Sequence, residues 1–407
     1  MRPTSGPPSP RRARPWLTRN VWAMSLTSFL SDAGHEVATA ILPLFFAALG
    51  IPPVVLGAVE GVADGLSSTV KLIFGWIGDR VARRKPIVVG GYALTGLAVG
   101  AFAAATGWPL VMAARAIAWM GRGARGPLRD SILTESVPPQ ARAHAFGFER
   151  TGDTLGAILG PLGALGLIAL FTPIMSETAA YRWIFLIAMI PSLLAALSFA
   201  TLVRERRRAA KPGLRFWGAL GSLPGSFRRY LVGVGIFGAG DFAHTLLTLR
   251  AVELLTPQLG AAVAGTVAVG LYVLHNVIYA GMSYPVGVLG DRLNKRTLLA
   301  MGYLLAALMG LGLMLPFSSI GYLAFIFVLG GFYIAVEDTL ERALAAELLP
   351  EQVRSTGFGT LAAVNGVGDL VSSLIVGLLW TTFSPAVGFG YAALLSVAGA
   401  LILWRLR

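Results

Sequence analysis

Twelve apolar stretches, each about 20 residues or longer and joined by short connections, most limit what this chain can become. In lipid every backbone N–H and C=O has to be satisfied within its own segment, so such stretches must be helices. Only 13% of the residues are charged, against about 25% in an ordinary soluble domain. A water-covered globule cannot be wrapped around that much apolar surface. The expected fold is an all-α membrane protein with 12 transmembrane helices, over approximately 19–48, 54–81, 86–106, 109–135, 142–172 and 180–203, then 229–254, 262–292, 297–316, 319–347, 353–382 and 386–406. Around them the chain divides into a basic, disordered tail (1–18), a six-helix half (19–203), a linker (204–228) and a second six-helix half (229–407).

The net charge of +13 raises the question of nucleic acid, and the placement of the charge answers it. Basic residues gather before the first span, after the second (Arg80, Arg83, Arg84, Lys85), in the linker and after the eighth (Arg292, Lys295, Arg296). The alternate loops are nearly uncharged. This is the positive-inside pattern, which places both termini in the cytoplasm of a multi-pass protein of a prokaryotic inner membrane. No nucleic-acid partner is needed to explain the charge. With no cysteine in the chain, disulfides and thiolate ligands are excluded. No phosphate-binding glycine loop followed by Lys-Ser/Thr is present, so neither ATP hydrolysis nor any other enzyme activity is expected.

The halves repeat each other. Gly75-Trp-Ile-Gly78-Asp79-Arg80-Val-Ala-Arg83-Arg84 returns in the second half as Gly287-Val-Leu-Gly290-Asp291-Arg292-Leu-Asn-Lys-Arg296. Glu135-Ser-Val-Pro138 and Phe146-Gly147 return as Glu347-Leu-Leu-Pro350 and Phe358-Gly359, displaced along the chain by the same offset. A G-x-x-G-D-R-x-x-basic-basic loop, once per half, resembles the loop motif of major facilitator superfamily transporters. The resemblance covers nearly the whole chain. It implies two pseudo-symmetric six-helix halves, a small-molecule site between them near the bilayer midplane, and alternating access. It also implies that Asp79 latches the second span to the start of the eleventh, where a helix N-terminus favours a carboxylate, with Asp291 repeating the latch.

Charges inside a bilayer cost about 2.5–3.5 kcal/mol each on insertion scales, so each needs a reason. Asp32, His35 and Glu36 share one face of the first span, and Asp241-Phe-Ala-His244 repeats the Asp-x-x-His pattern in the seventh. Proton carriers tuned by the histidines, a divalent-metal site on Asp32, His35, Asp241 and His244, and simple structural pairing are the readings of this set. In the second span Glu60 is a cavity candidate. Arg115, Arg122 and Arg129 form a seven-residue stripe on the fourth span, with Arg125 beside it. Arg115 resembles the family's proton-coupling arginine. At the offset of the repeat, Glu337 corresponds to Arg125 and Glu341 to Arg129. That correspondence leads us to expect Arg125 and Arg129 to pair with the two glutamates as a cytoplasmic gate, with Asp130 as a competing partner. The alternative is an arginine site for an anionic substrate.

Gly152, Gly156, Gly160 and Pro161 resemble the family's fifth-span motif of exporters, and also suit plain close packing. The function expected is proton-coupled efflux of a small organic molecule by a monomer. It would be driven by the proton gradient without a cofactor, with the bilayer, protons and substrate as partners. Symport of an organic anion, export of a divalent metal and a non-transporting scaffold are the alternatives.

Overall fold

The computed structural model describes residues 16–51 and 53–405, with side chains described outside 53–65 and 261–262. Most of the basic tail lies outside these residues. The described helices of the first half are α1 (Arg19–Ala48), α2 (Pro53–Arg80), α3 (Lys85–Ala101), α4 (Trp108–Glu135), α5 (Arg142–Phe171) and α6 (Glu177–Leu202). A short linker helix, α7 (Phe216–Gly221), precedes the second half: α8 (Gly225–Gly238), α9 (His244–Leu259), α10 (Ala261–Arg292), α11 (Lys295–Met314), α12 (Ile320–Leu348), α13 (Arg354–Thr382) and α14 (Pro385–Arg405). Local chemistry sets several ends. Thr18 and Asn294 cap α1 and α11 with side-chain oxygens. Gly50 and Gly260, at φ +67° and +74°, turn the chain where a Cβ would be strained.

The seventh span departs from the expected single helix over 229–254. It is cut into α8 and α9 by a non-helical stretch at 239–243, which carries Asp241. Broken helices at membrane depth are tolerated where the freed backbone lines a cavity or is buried in protein. Here the Ser372 hydroxyl and the Tyr391 hydroxyl donate to the carbonyls of Asp241 and Ala239. Eight of the described helical segments are long and apolar enough to span a membrane. Of the rest, α4 falls short because of its arginines and the seventh span because of its break.

The halves meet along α2 with α13 and α5 with α10, and the two seams are copies of each other. A Cβ on Gly75 would fall 2.5 Å from the Ser355 carbonyl oxygen, and one on Gly359 2.6 Å from that of Lys71. Their counterparts in the repeat, Gly287 and Gly147, press just as tightly on Ala143 and Ser283. Asp79 accepts from the amides of Ser355 (3.1 Å) and Thr356 (2.7 Å) in the first turn of α13. Asp291 accepts from Ala143 (3.1 Å) and His144 (2.9 Å) in the first turn of α5. Each carboxylate thus satisfies amides that a helix start leaves orphaned.

At this basic end the linker is strapped across both halves. Arg208 lies 3.9 Å from Asp79, 3.8 Å from Glu135 and 3.9 Å from Glu351. Its amide donates to the Ala82 carbonyl, and that of Lys211 to the Arg80 carbonyl. The fully buried Arg84 guanidinium pairs with Glu135 and with Glu205 (2.9 Å), and Arg354 from the second half reaches Glu135 at 3.4 Å. Burial opposes the charge on Arg84, but the bonds to the two glutamates outweigh it and hold its pKa above the usual arginine value.

Overpacking a seam of this kind costs about 1–3 kcal/mol. Gly359→Val is expected to lower the thermal unfolding midpoint in detergent, whereas Gly163→Val, at a position where an added Cβ meets nothing within 4 Å, leaves it unchanged.

Candidate functional site

Between the halves lies a cavity of two adjoining lobes, about 840 and 800 Å³. One lobe runs along α9, α12 and α13, past Asp241, His244, Glu337, Asp338 and Glu341. The other runs along α4 and α5, past Arg122, Arg125, Arg129 and Arg150. One wall is therefore rich in arginine and the facing wall in carboxylates. Toward the basic end the cavity is closed by contacts between α4 and α13, where the Ser131 and Ser355 hydroxyls meet at 2.9 Å.

On the first-half wall, Arg122 lies 3.2 Å from Asp32, which is buried. Beside this pair the buried His35 ring packs on Trp119, with centroids 4.9 Å apart, and its Nδ1 has no hydrogen-bond partner among the described residues. Arg115 and Arg122 each lie 5.0 Å from the centre of the same Trp119 ring, and Arg115 donates to the Thr39 hydroxyl at 3.3 Å. Glu36 is half-buried one position beyond His35. Glu60 lies outside the residues whose side chains are described.

The expected gate pairs are absent among the described residues. Arg129 instead binds Glu149 at 2.9 Å and Asp130 at 3.1 Å, both within its own half, and donates to Ser28 at 2.9 Å. Arg125 lies 3.9 Å over the Tyr92 ring and donates to Ser31 at 2.9 Å. Glu341 turns away to Tyr303 and Asn365. The ion pairs that do cross between the halves here are Arg150 with Asp338 (3.3 Å) and Arg342 with Asp130 (3.8 Å). Asp338 also accepts from Arg342 at 3.1 Å and from the Tyr279 hydroxyl, and Arg150 is braced by Asp153. The physical reason is reach. Arg129 has a buried carboxylate one helix away, and pairing there leaves no charge stranded across an open cavity.

Arg150, Glu149 and Asp338 escaped the sequence reading. A signal existed in the spacings Arg150-x-x-Asp153 and Asp338-x-x-x-Arg342, each of which places opposite charges on one helical face.

The two Asp-x-x-His motifs stand in different settings. They are out of step with the offset that relates the other repeats, so they are not symmetry mates. Asp241 sits in the break and accepts from the Tyr333 hydroxyl at 2.9 Å. His244 opens α9 and packs against the buried His275, with ring centroids 4.8 Å apart. Among the described residues no three His, Cys, Asp or Glu side chains cluster as metal ligands. Gly152, Gly156 and Gly160 press on the backbone of α1 at Ser25, Phe29 and Ala33, with Pro161 inside the same helix. Their close approach packs α1 against α5, with Asp32 buried behind Arg122, which does line the cavity.

The profile of the Major Facilitator Superfamily matches residues 24–274 and 231–407. An "uncharacterized MFS-type transporter" of Methanocaldococcus jannaschii is 30% identical over 392 residues, covering 95% of this chain and 94% of that protein. The 3-(3-hydroxy-phenyl)propionate transporter of Escherichia coli is 26% identical over 330 residues, 78% of this chain and 75% of that one. Among solved structures, the superfamily transporter FucP in its outward conformation superimposes with a TM-score of 0.80 at 15% identity, over 97% of this chain and 100% of that one.

The closure near Ser131 and Ser355 can be locked. Because the chain has no cysteine, a Ser131→Cys/Ser355→Cys variant offers a single disulfide between side chains already in contact at 2.9 Å. Oxidation is expected to cross-link it and abolish transport, with recovery on reduction. Transport should be unaffected by oxidant in either single variant.

Proposed function

Because this chain belongs to the major facilitator superfamily of membrane transporters, we propose that it works by alternating access as a proton-coupled antiporter that expels a small organic molecule, with Asp32 carrying the proton. The single observation behind this reading is the Asp32–Arg122 pair, 3.2 Å apart between α1 and α4, in which Arg122 lines the cavity and Asp32 is buried behind it. A buried carboxylate whose charge is balanced by one arginine has two stable states. Ionised, it holds Arg122. A positive group of the substrate can take the place of Arg122 at the ionised carboxylate, whereas a protonated Asp32 offers no charge to bind. Proton and substrate thus compete for one carboxylate, which is what antiport requires.

In this reading the basic end faces the cytoplasm of the cell membrane. The latches of Asp79 and Asp291 and the crossing pairs Arg150–Asp338 and Arg342–Asp130 hold that end shut, so the state described is the outward-facing one. Opening inward exchanges these contacts for others at the opposite end. The proton gradient is the energy source, and no cofactor takes part. A second reading, import of an organic anion with protons, draws support from Arg125, which makes no ion pair among the described residues and lies on the cavity wall.

Inverted membrane vesicles with an acidic interior, reported by a quenched dye, test the choice. Organic compounds added outside should restore fluorescence in the wild type, and Asp32→Asn should abolish that response. Recovery that survives Asp32→Asn removes this residue as the carrier. Alkalinisation of the external medium when an organic anion is added to right-side-out vesicles establishes import instead.

A further inference from the structure

Nearly every charged side chain on the cavity wall has a partner. Arg122 has Asp32, Arg129 has Glu149 and Asp130, and Arg150 has Asp153 and Asp338. Asp241 and Glu341 take tyrosine hydroxyls. Among the described residues two stand apart: Arg125 is a wall arginine with no carboxylate partner, held by Ser31 and the Tyr92 ring, and Glu337 is a wall carboxylate that no side chain meets in a hydrogen bond or ion pair. Arg125 is 5% exposed, has one guanidinium nitrogen bound to Ser31 and leaves Nη1 without a hydrogen-bond partner among the described residues. Glu337 is 9% exposed and leaves Oε2 buried and unbonded among the same residues. They stand at equivalent positions of the two halves, on facing walls of adjoining lobes.

A buried charge without a counter-ion is costly, and a structure keeps one where something else supplies the counter-charge. An anion alone would satisfy Arg125 while adding repulsion at Glu337, and a cation alone would do the reverse. A molecule bearing both charges satisfies both walls at once. We infer that the transported molecule is a small zwitterion, with its anionic group on Arg125 and its ammonium group on Glu337. Each contact is a charge-assisted hydrogen bond to a side chain that is itself buried, where such bonds are strong. The lobes, about 840 and 800 Å³, lie in the size range of small-molecule sites. This inference rests on reading the cavity as the substrate site of the transporter. It does not depend on proton coupling or on the direction of transport.

The test is ligand-dependent thermal stabilisation of the purified full-length protein in detergent. The probes are straight-chain ω-amino acids of increasing length, each with the carboxylic acid and the amine of the same chain length. At one or more lengths the ω-amino acid should stabilise the protein at lower concentration than either single-charge analogue. Arg125→Gln and Glu337→Gln should each weaken that apparent Kd by about tenfold or more. The loss should be selective by charge: Arg125→Gln abolishes any response to the acids and spares the amines, and Glu337→Gln does the opposite. A merely structural role for either residue would lower all responses together, and that result overturns the proposal. So does the absence of stabilisation by every ω-amino acid, or acids that act better than ω-amino acids and do not depend on Glu337. Because this readout moves no protons, a negative result here alongside a positive vesicle response removes only the substrate class. The reverse pair of results removes only the coupling.

Discussion

Two carboxylates at two helix starts carry the architecture. Asp79 at the end of α2 binds the first-turn amides of α13, and Asp291 at the end of α10 binds those of α5. Both bonds tie one half to the other, and both depend on a close backbone approach that only glycine permits, at Gly75 and Gly359 on one seam and Gly147 and Gly287 on the other. A carboxylate against unsatisfied helix amides is held by charge and hydrogen bonding together, yet it can be released without breaking a helix. That combination suits a joint that has to hold in one state and part in another.

The linker makes the joint a larger unit. Arg208 touches carboxylates from α2, α4 and the turn before α13, so the strap between the halves also rests on the closure. Beneath it the charge density of α4 becomes intelligible. Its arginines do not face lipid, which would be untenable. They are shared among Asp32 on α1, Glu149 on α5, aromatic rings and the cavity. The glycine row of α5 sets α1 close enough for this sharing to occur.

The break at 239–243 gives the second half a different character. In the first half the Asp-x-x-His motif lies within a continuous helix and pairs with an arginine. In the second, Asp241 stands in non-helical backbone beside Tyr333, and His244 meets His275. Two halves with one shared pattern thus present opposite charge to one cavity.

The sequence by itself determined the membrane spans, the two-half repeat and the latch positions. All of these are written in local composition and in one constant offset, which no folding step can alter. The break in the seventh span was less legible, because glycines in an apolar run are equally consistent with close packing. Which charge meets which was a matter for the tertiary structure alone. A helical-face argument fixes where Arg125 or Arg129 points around its own axis, but not which neighbour lies at the same depth, nor whether a cavity intervenes. The offset paired Arg129 with Glu341 on paper. In space Glu149 was nearer, Glu341 had tyrosine and asparagine partners of its own, and the halves were joined instead through Arg150 and Asp338. Pairing energy falls steeply with distance and with intervening water, so a few ångströms of helix placement decided what the symmetry of the sequence left open.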